Sequence, residues 1–142
     1  MPNPSLSPRR TAWRLLLLRI LVGWVFLTEG IQKLLFPAAF GPRRFAKIGI
    51  PAPQFTGPFV GSMEIVYGAL LIAGFYTTLA VVPLLIVILV AIATTKVPML
   101  VHQEFWAAMH EARADFCMLL GFIAIALLGA GDLSMDERRR AG

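Results

Sequence analysis

The sequence predicts an all-α membrane protein built as a four-transmembrane-helix antiparallel bundle, and three observations carry that prediction. Hydrophobic residues fill 58% of the 142 positions and charged residues only 15%, with a mean hydropathy of +0.75; a soluble domain of this size carries less apolar and more charged surface. The apolar residues gather into four runs of membrane-crossing length. The joints between the runs are rich in Pro, Gly and basic residues, which end helices rather than continue them. The length leaves room for one compact domain.

Residues 1–11 are rich in Pro, Ser and Arg and are expected to form a disordered cytoplasmic N-terminus. The first span is expected from Leu15 to Phe36, which at 1.5 Å per residue covers roughly 33 Å. Its apolar run is too long for a signal peptide, Arg19 interrupts it and no small-residue cleavage site follows, so it reads as a retained span. Pro37, Pro42, Pro51, Pro53 and Pro58 punctuate the first connection. The second span runs from Pro58 to Phe75 and ends in a tight turn through Thr78. The third runs from Leu79 to Lys96, with Pro83 in its first turns, where a missing amide donor does least harm. The fourth runs from Arg113 to Gly131, so the membrane domain covers 12–136 and residues 137–142 form a cytoplasmic tail.

An even number of spans returns both ends to one side. Arg9, Arg10 and Arg14 precede the first span and Arg138, Arg139 and Arg140 follow the last, which places both termini in the cytoplasm. Arg43, Arg44 and Lys47 on the other side soften the bias. These flanking residues explain the net charge of +5 as contact with anionic lipid headgroups. Nucleic acid is not an expected partner, because no basic groove interleaved with aromatics is present.

Ionisable residues inside the spans are the informative exception. Arg19, Glu29 and Lys33 lie in the first span, Glu64 in the second and Asp115 near the start of the fourth. At a helix centre each Arg, Lys or Asp costs roughly 2.5–3.5 kcal/mol on insertion scales. Counting along the helices puts Glu29 and Glu64 roughly 5 Å, and Lys33 and Asp115 about 10 Å, to the non-cytoplasmic side of their span midpoints. Arg19 alone lies in the inner half. Glu29 and Lys33 are four residues apart and can pair. Arg19 falls within about 40° of Lys33 on a helical wheel. Gly61, Glu64 and Gly68 form one stripe, which lets a neighbouring helix or a ligand come close to the carboxylate.

Two readings of this polar set stay open. In one, the residues are structural ion pairs: Lys33 neutralises Glu29 or Glu64, and Arg19 snorkels toward the cytoplasmic headgroups. In the other, Glu29, Glu64 and Asp115 outnumber Lys33, with Arg113 and Lys96 nearer the surface, so one carboxylate is left to carry a proton or to meet a polar ligand. Glu64, deep and flanked by glycines, is the first candidate. His102, Glu104, His110 and Glu111 lie in the connection before the fourth span but show no metal-ligand spacing, so no metal is expected. The single cysteine, Cys117, excludes an internal disulfide or a dithiol centre and reads as a packing residue. Phe40, Phe45 and Ile48 alternate with Arg43, Arg44 and Lys47 as in a short interfacial helix, or a lid over the polar pocket. Phosphate-binding loops, dinucleotide fingerprints and serine triads are absent.

The same residues resemble the DoxX family of small four-helix bacterial and archaeal membrane proteins. Arg19, Gly23, Gly30 and Lys33 match its R…G…G..K pattern. Gly49 and Pro51, followed by Glu64, Gly68, Leu71 and Gly74, are similar to its G.P…E…G..L..G stretch, and Gly129 to Asp136 to its G-x-G-x-x-S-L-D tail. Asp115 stands where members often have glutamate. The family takes its name from a subunit linked to thiosulfate:quinone oxidoreductase activity, and other members are associated with redox-stress membrane complexes. The resemblance therefore implies residence in the cytoplasmic (inner) membrane and a redox-associated subunit. It would bind a quinone or similar lipid at Glu64, Lys33, Glu29, Asp115 and Arg19, with electrons supplied by a soluble or membrane partner or a bound cofactor. A non-enzymatic carrier of protons or small molecules, or a membrane scaffold for a soluble partner, is the alternative.

Overall fold

A computed structural model describes residues 8–102 and 105–142, so the expectations for Glu104 and for the side chains of Arg9 and Arg10 lie outside it. The helices in order are α1 (Pro8–Leu35), α2 (Pro42–Lys47), α3 (Pro53–Ala73), α4 (Thr77–Ala91), α5 (Val97–His102), α6 (Phe105–Leu128) and α7 (Met135–Ala141). A π-helical turn, Ile92–Lys96, joins α4 to α5. Residues 8–11, expected to be unstructured, are already helical.

Three segments, Thr11–Leu35, Pro53–Ala73 and Thr77–His102, are long and apolar enough to cross a membrane. The third overruns the expected end at Lys96, so His102, placed in a connection by its polarity, lies in a helix instead. Helix α6 is 24 residues long, but His110, Glu111, Arg113 and Asp115 crowd its first half. Composition alone does not mark it as a span.

Contacts link α1 to α3, α3 to α4, α4 to α6 and α6 back to α1, closing a four-helix ring. Glycine pairs fix the α1–α3 crossing and its antiparallel sense. A Cβ on Gly23 would meet the Gly68 carbonyl at 2.8 Å, and a Cβ on Gly30 would meet that of Gly61 at 2.5 Å. Only hydrogen at these positions lets the backbones touch. Gly61 faces Lys33 and Leu34, and Gly57 faces Pro42. This pair therefore packs inside the bundle. The α6–α1 contact is antiparallel too, since Gly121 meets Val22 while Gly131 meets Leu15. The start of α1 and the end of α6 thus share one end of the bundle, called here the terminal end; α2 lies at the other.

The buried core comprises Val22, Phe26, Leu71, Val81, Leu84, Ile88, Met118, Phe122 and Ile125. The Phe26 and Phe122 rings sit 5.1 Å apart and tilted. Outward-facing Leu17, Trp24, Val66, Ile86 and Leu127 are more than half exposed, which is a sensible arrangement only where lipid covers them.

At the terminal end, Arg19 is fully buried rather than snorkelling. Its guanidinium donates to the Leu133 carbonyl at 2.7 Å and presses on Gly74, whose φ of +68° closes the α3–α4 turn. Tyr76 shares the left-handed backbone, at φ +49°. Asp136 holds this turn from the far end of the chain: its two carboxylate oxygens accept from the amides of Tyr76 and Thr77 at 2.7 and 2.8 Å. It caps α4 in place of a local residue. Its own amide donates to Gly74, and Ser134 caps α7 by accepting from Glu137.

Candidate functional site

The α1–α3 glycine crossing decides where the charges meet. With the backbones in contact at Gly30 and Gly61, Lys33 of α1 reaches Glu64 of α3, its ammonium 2.8 Å from Oε2 and hydrogen-bonded to Oε1 at 3.1 Å. The same ammonium lies 3.4 Å from Glu29, one turn earlier on α1. Glu64 is 2% exposed, whereas the Glu29 side chain is half in the open. Lys33 is therefore shared between a buried and a hydrated carboxylate.

A second group comes from the third and fourth long helices. Pro98 has no amide hydrogen to return to Thr94 and its ring crowds that carbonyl. The helix loosens there by one residue, so that Val97 donates to Ile92, five positions back. The turn leaves Lys96 facing α6, 3.4 Å from Asp115 and 3.9 Å from Glu111. The Lys96 side chain is 14% exposed. Asp115, expected beside Lys33, is thus partnered by Lys96 instead.

Both groups line one cavity of about 580 Å³, within the range of sites that hold small organic ligands. Its floor is the edge of the core, through Phe26, Ile88 and Met118. Phe40 and, from α2 and the residue after it, Arg44, Phe45 and Ile48 border it at the α2 end. The short helix expected at the membrane surface is therefore also part of the cavity wall. Phe59 of α3 and Ile86 and Val90 of α4 line it while remaining about half exposed on the bundle surface, so the cavity reaches the lipid-facing side between α3 and α4.

Of the five residues picked from sequence, Glu29, Lys33, Glu64 and Asp115 line this cavity and Arg19 does not. It shares a face with Lys33, but fourteen residues of helix put about 21 Å between them, and its contacts belong to the terminal end. Sequence reasoning left Arg44 out of the site and set Lys96 nearer the surface. The signal for Lys96 was Pro98, two residues on, which marks a distorted helix. Among the described residues no three His, Cys, Asp or Glu side chains converge as metal ligands. Cys117 is exposed on the outer surface of α6.

The DoxX family model matches residues 14–102. The chain is 46% identical over 127 residues to "Uncharacterized membrane protein Rv3486" of Mycobacterium tuberculosis, covering 85% of this chain and 78% of that protein. It is 30% identical over 124 residues to "Putative oxidoreductase CatD" of Bacillus subtilis, covering 85% and 83%. No solved structure matches.

Proposed function

The chain belongs to the DoxX family, and from that membership and the cavity we propose a redox-associated membrane subunit that binds a quinone or similar lipophilic carbonyl compound. The observation that carries the reading is the pairing of an apolar, lipid-reaching cavity with two separate lysine–carboxylate groups, Lys33 with Glu64 and Lys96 with Asp115. The residues suit such a ligand. The two ammonium groups are donors for carbonyl oxygens, the apolar lining takes the ring, and the side between Phe59, Ile86 and Val90 gives a lipid tail its exit. A bound quinone supplies the electron-accepting group. The chain supplies position and protons: Lys33 and Lys96 orient the oxygens, and Glu64 and Asp115 accept hydrogen bonds or exchange protons with them. Electrons come from a soluble or membrane partner or from a bound cofactor. That a relative carries the name oxidoreductase supports the reading.

In this proposal α6 is the fourth span and Lys96 screens its acidic half. Both termini face the cytoplasm, Arg138, Arg139 and Arg140 being the positive-inside signal. The cavity then lies in the outer half of the bilayer. A second reading, a proton or small-cation carrier, draws on the balance of the lining: four carboxylates (Glu29, Glu64, Glu111, Asp115) against three cations (Lys33, Arg44, Lys96).

The test is solvent extraction of protein purified in mild detergent, followed by mass spectrometry for quinones, with Glu64→Gln, Lys33→Met and Asp115→Asn alongside. Near-stoichiometric quinone in the parent, lost from variants that remain folded, is the expected result. Quinone at the membrane background in the parent refutes the proposal and leaves the carrier reading, for which proton flux into proteoliposomes is the assay.

A further inference from the structure

Besides the main cavity, one surface cleft stands out by its charge. It is lined by Ala38, Ala39, Arg43, Arg44, Lys47 and Ile48, three basic side chains among small and apolar ones with no carboxylate. All three basic residues are exposed. None takes part in an ion pair among the described residues. The arrangement follows from the sequence of α2. Pro42 and Phe45 are buried, with Pro42 against Gly57 of α3, so the short helix is pinned by its apolar face and must turn Arg43, Arg44 and Lys47 outward.

The level of the cleft is fixed by its neighbours. Phe36, at the end of α1, is 56% exposed, and Leu35 before it 67%. At the same end, Phe55 and Phe59 stack on α3 and Phe105 meets Trp106 on α6, all four rings at least half exposed. Trp106, 78% exposed, is the amphipathic ring among them and is the kind of residue enriched at the boundary between hydrocarbon and headgroups, while the exposed Phe rings lie on its hydrocarbon side. A three-cation cleft at that boundary, with exposed Leu35 and Phe36 nearby, matches a molecule with an anionic head and an apolar tail.

We propose that the α2 cleft is a binding site for the phosphate of an anionic phospholipid, held by Arg43, Arg44 and Lys47, with an acyl chain along Leu35 and Phe36. The two guanidinium groups suit a phosphate because their planar forks offer paired donors. Arg44 lines both the cleft and the main cavity, so a headgroup bound outside and the occupant inside share one side chain. Arg43 and Lys47 line the cleft and not the cavity, so two of the three cations are available whatever fills the cavity.

Native mass spectrometry of the full chain tests it, with phosphatidylglycerol and phosphatidylcholine of identical acyl chains added to detergent-purified protein. Phosphatidylglycerol is expected to be retained at least about tenfold better, since each basic side chain contributes about 1 kcal/mol at an anionic headgroup. Arg43→Gln/Lys47→Gln removes the preference, and Arg43→Lys, which keeps the charge but loses the fork, retains only part of it. Arg138→Gln/Arg140→Gln, at the terminal end, leaves it intact. Equal retention of the two lipids, or equal loss from the α2 and tail variants, overturns the proposal. Displacement of the lipid by inorganic phosphate at equal concentration also overturns it, assigning the cleft to a free anion. Both α2 residues are exposed, so their variants fold; the thermal melt of each is recorded beside its lipid spectrum.

Discussion

Lys33 is the hinge of the site's electrostatics, and removing it should be far more harmful than removing its partner. At 2.8 Å and an effective dielectric near 20, the gross attraction between Lys33 and Glu64 is about 6 kcal/mol. Most of that offsets the desolvation of two buried ions. The consequence of breaking the pair depends on which ion is left behind. In Lys33→Met, Glu64 keeps a side chain only 3% exposed and loses the only cation that touches it among the described residues, so the expected cost is about 3–5 kcal/mol. In Glu64→Gln, Lys33 keeps Glu29 at 3.4 Å, whose side chain is 49% exposed, and the amide oxygen still accepts a hydrogen bond. The expected cost is about 1–2 kcal/mol. The double variant leaves no buried charge at Glu64 and is expected to be more stable than Lys33→Met alone, a coupling of roughly 2–4 kcal/mol. Unfolding in mixed dodecylmaltoside and SDS micelles, followed by tryptophan fluorescence, measures all four proteins. Equal losses in the two single variants that simply add in the double one would refute the shared-lysine argument.

Three more outcomes follow from particular contacts. Gly74→Ala is expected to destabilise by at least about 2 kcal/mol, because the residue has φ +68° and its new methyl would fall on the Arg19 guanidinium; a loss below half of this in the same unfolding assay contradicts the packing described. For Asp136, burial is the largest influence and pulls its carboxyl upward, but hydrogen bonds from the Thr77 and Tyr76 amides outweigh it and hold the group below the usual carboxylate range. A lowered folded value means that the cap contributes in full above about pH 4, the unfolded value, and is lost as pH falls through the folded one. Protection of the Tyr76 and Thr77 amides that Asp136 holds, measured against intrinsic exchange at each pH, should therefore fall only in acid, and Asp136→Asn, costing about 1 kcal/mol, should abolish that acid step; protection that is the same at neutral and acid pH would contradict it. Pro98→Ala restores the amide and should close the π turn into regular helix, swinging Lys96 by about 100°. A double-mutant cycle between Lys96→Met and Asp115→Asn should then show coupling in the parent and none in the Pro98→Ala background.

Much of the site could be seen in the sequence because it rests on helical periodicity. Glu29 and Lys33 share a face by spacing alone, and the glycines beside Glu64 announce a close helix crossing. The long helices were legible for the same reason, although their ends were not. Residues 8–11 and Val97 to His102 are helical despite polar or proline-containing sequence, since a helix does not stop where hydrocarbon does. What could not be read is which helix each charge meets. Arg19 and Lys33 fall on one face, and a helical wheel has no way to show that a segment more than 110 residues away covers the first. Depth alone groups Asp115 with Lys33, whereas the π turn faces Lys96 toward α6 and gives Asp115 its partner.

The two ends of α1 show why the same bundle needs both kinds of buried charge. At the terminal end the glycine contact is continued by Arg19, Gly74 and the Leu133 carbonyl, and Asp136 ties the last helix to the α3–α4 turn. The charges there are spent on holding backbone. At the α2 end the core stops at Phe26, Ile88 and Met118; beyond it α1 and α3 stay in contact at Gly30 and Gly61, while ion pairs bridge the sides of the cavity. An ion pair fixes distance without filling volume, so Lys33–Glu64 and Lys96–Asp115 can support a cavity that an apolar contact would have closed. Replacing all four by leucine should therefore yield a bundle at least as stable as the parent, as is often found when buried ion pairs are exchanged for well-packed apolar residues, but one unable to hold a polar ligand. A loss of stability comparable to that of Lys33→Met would mean that the pairs are structural in their own right.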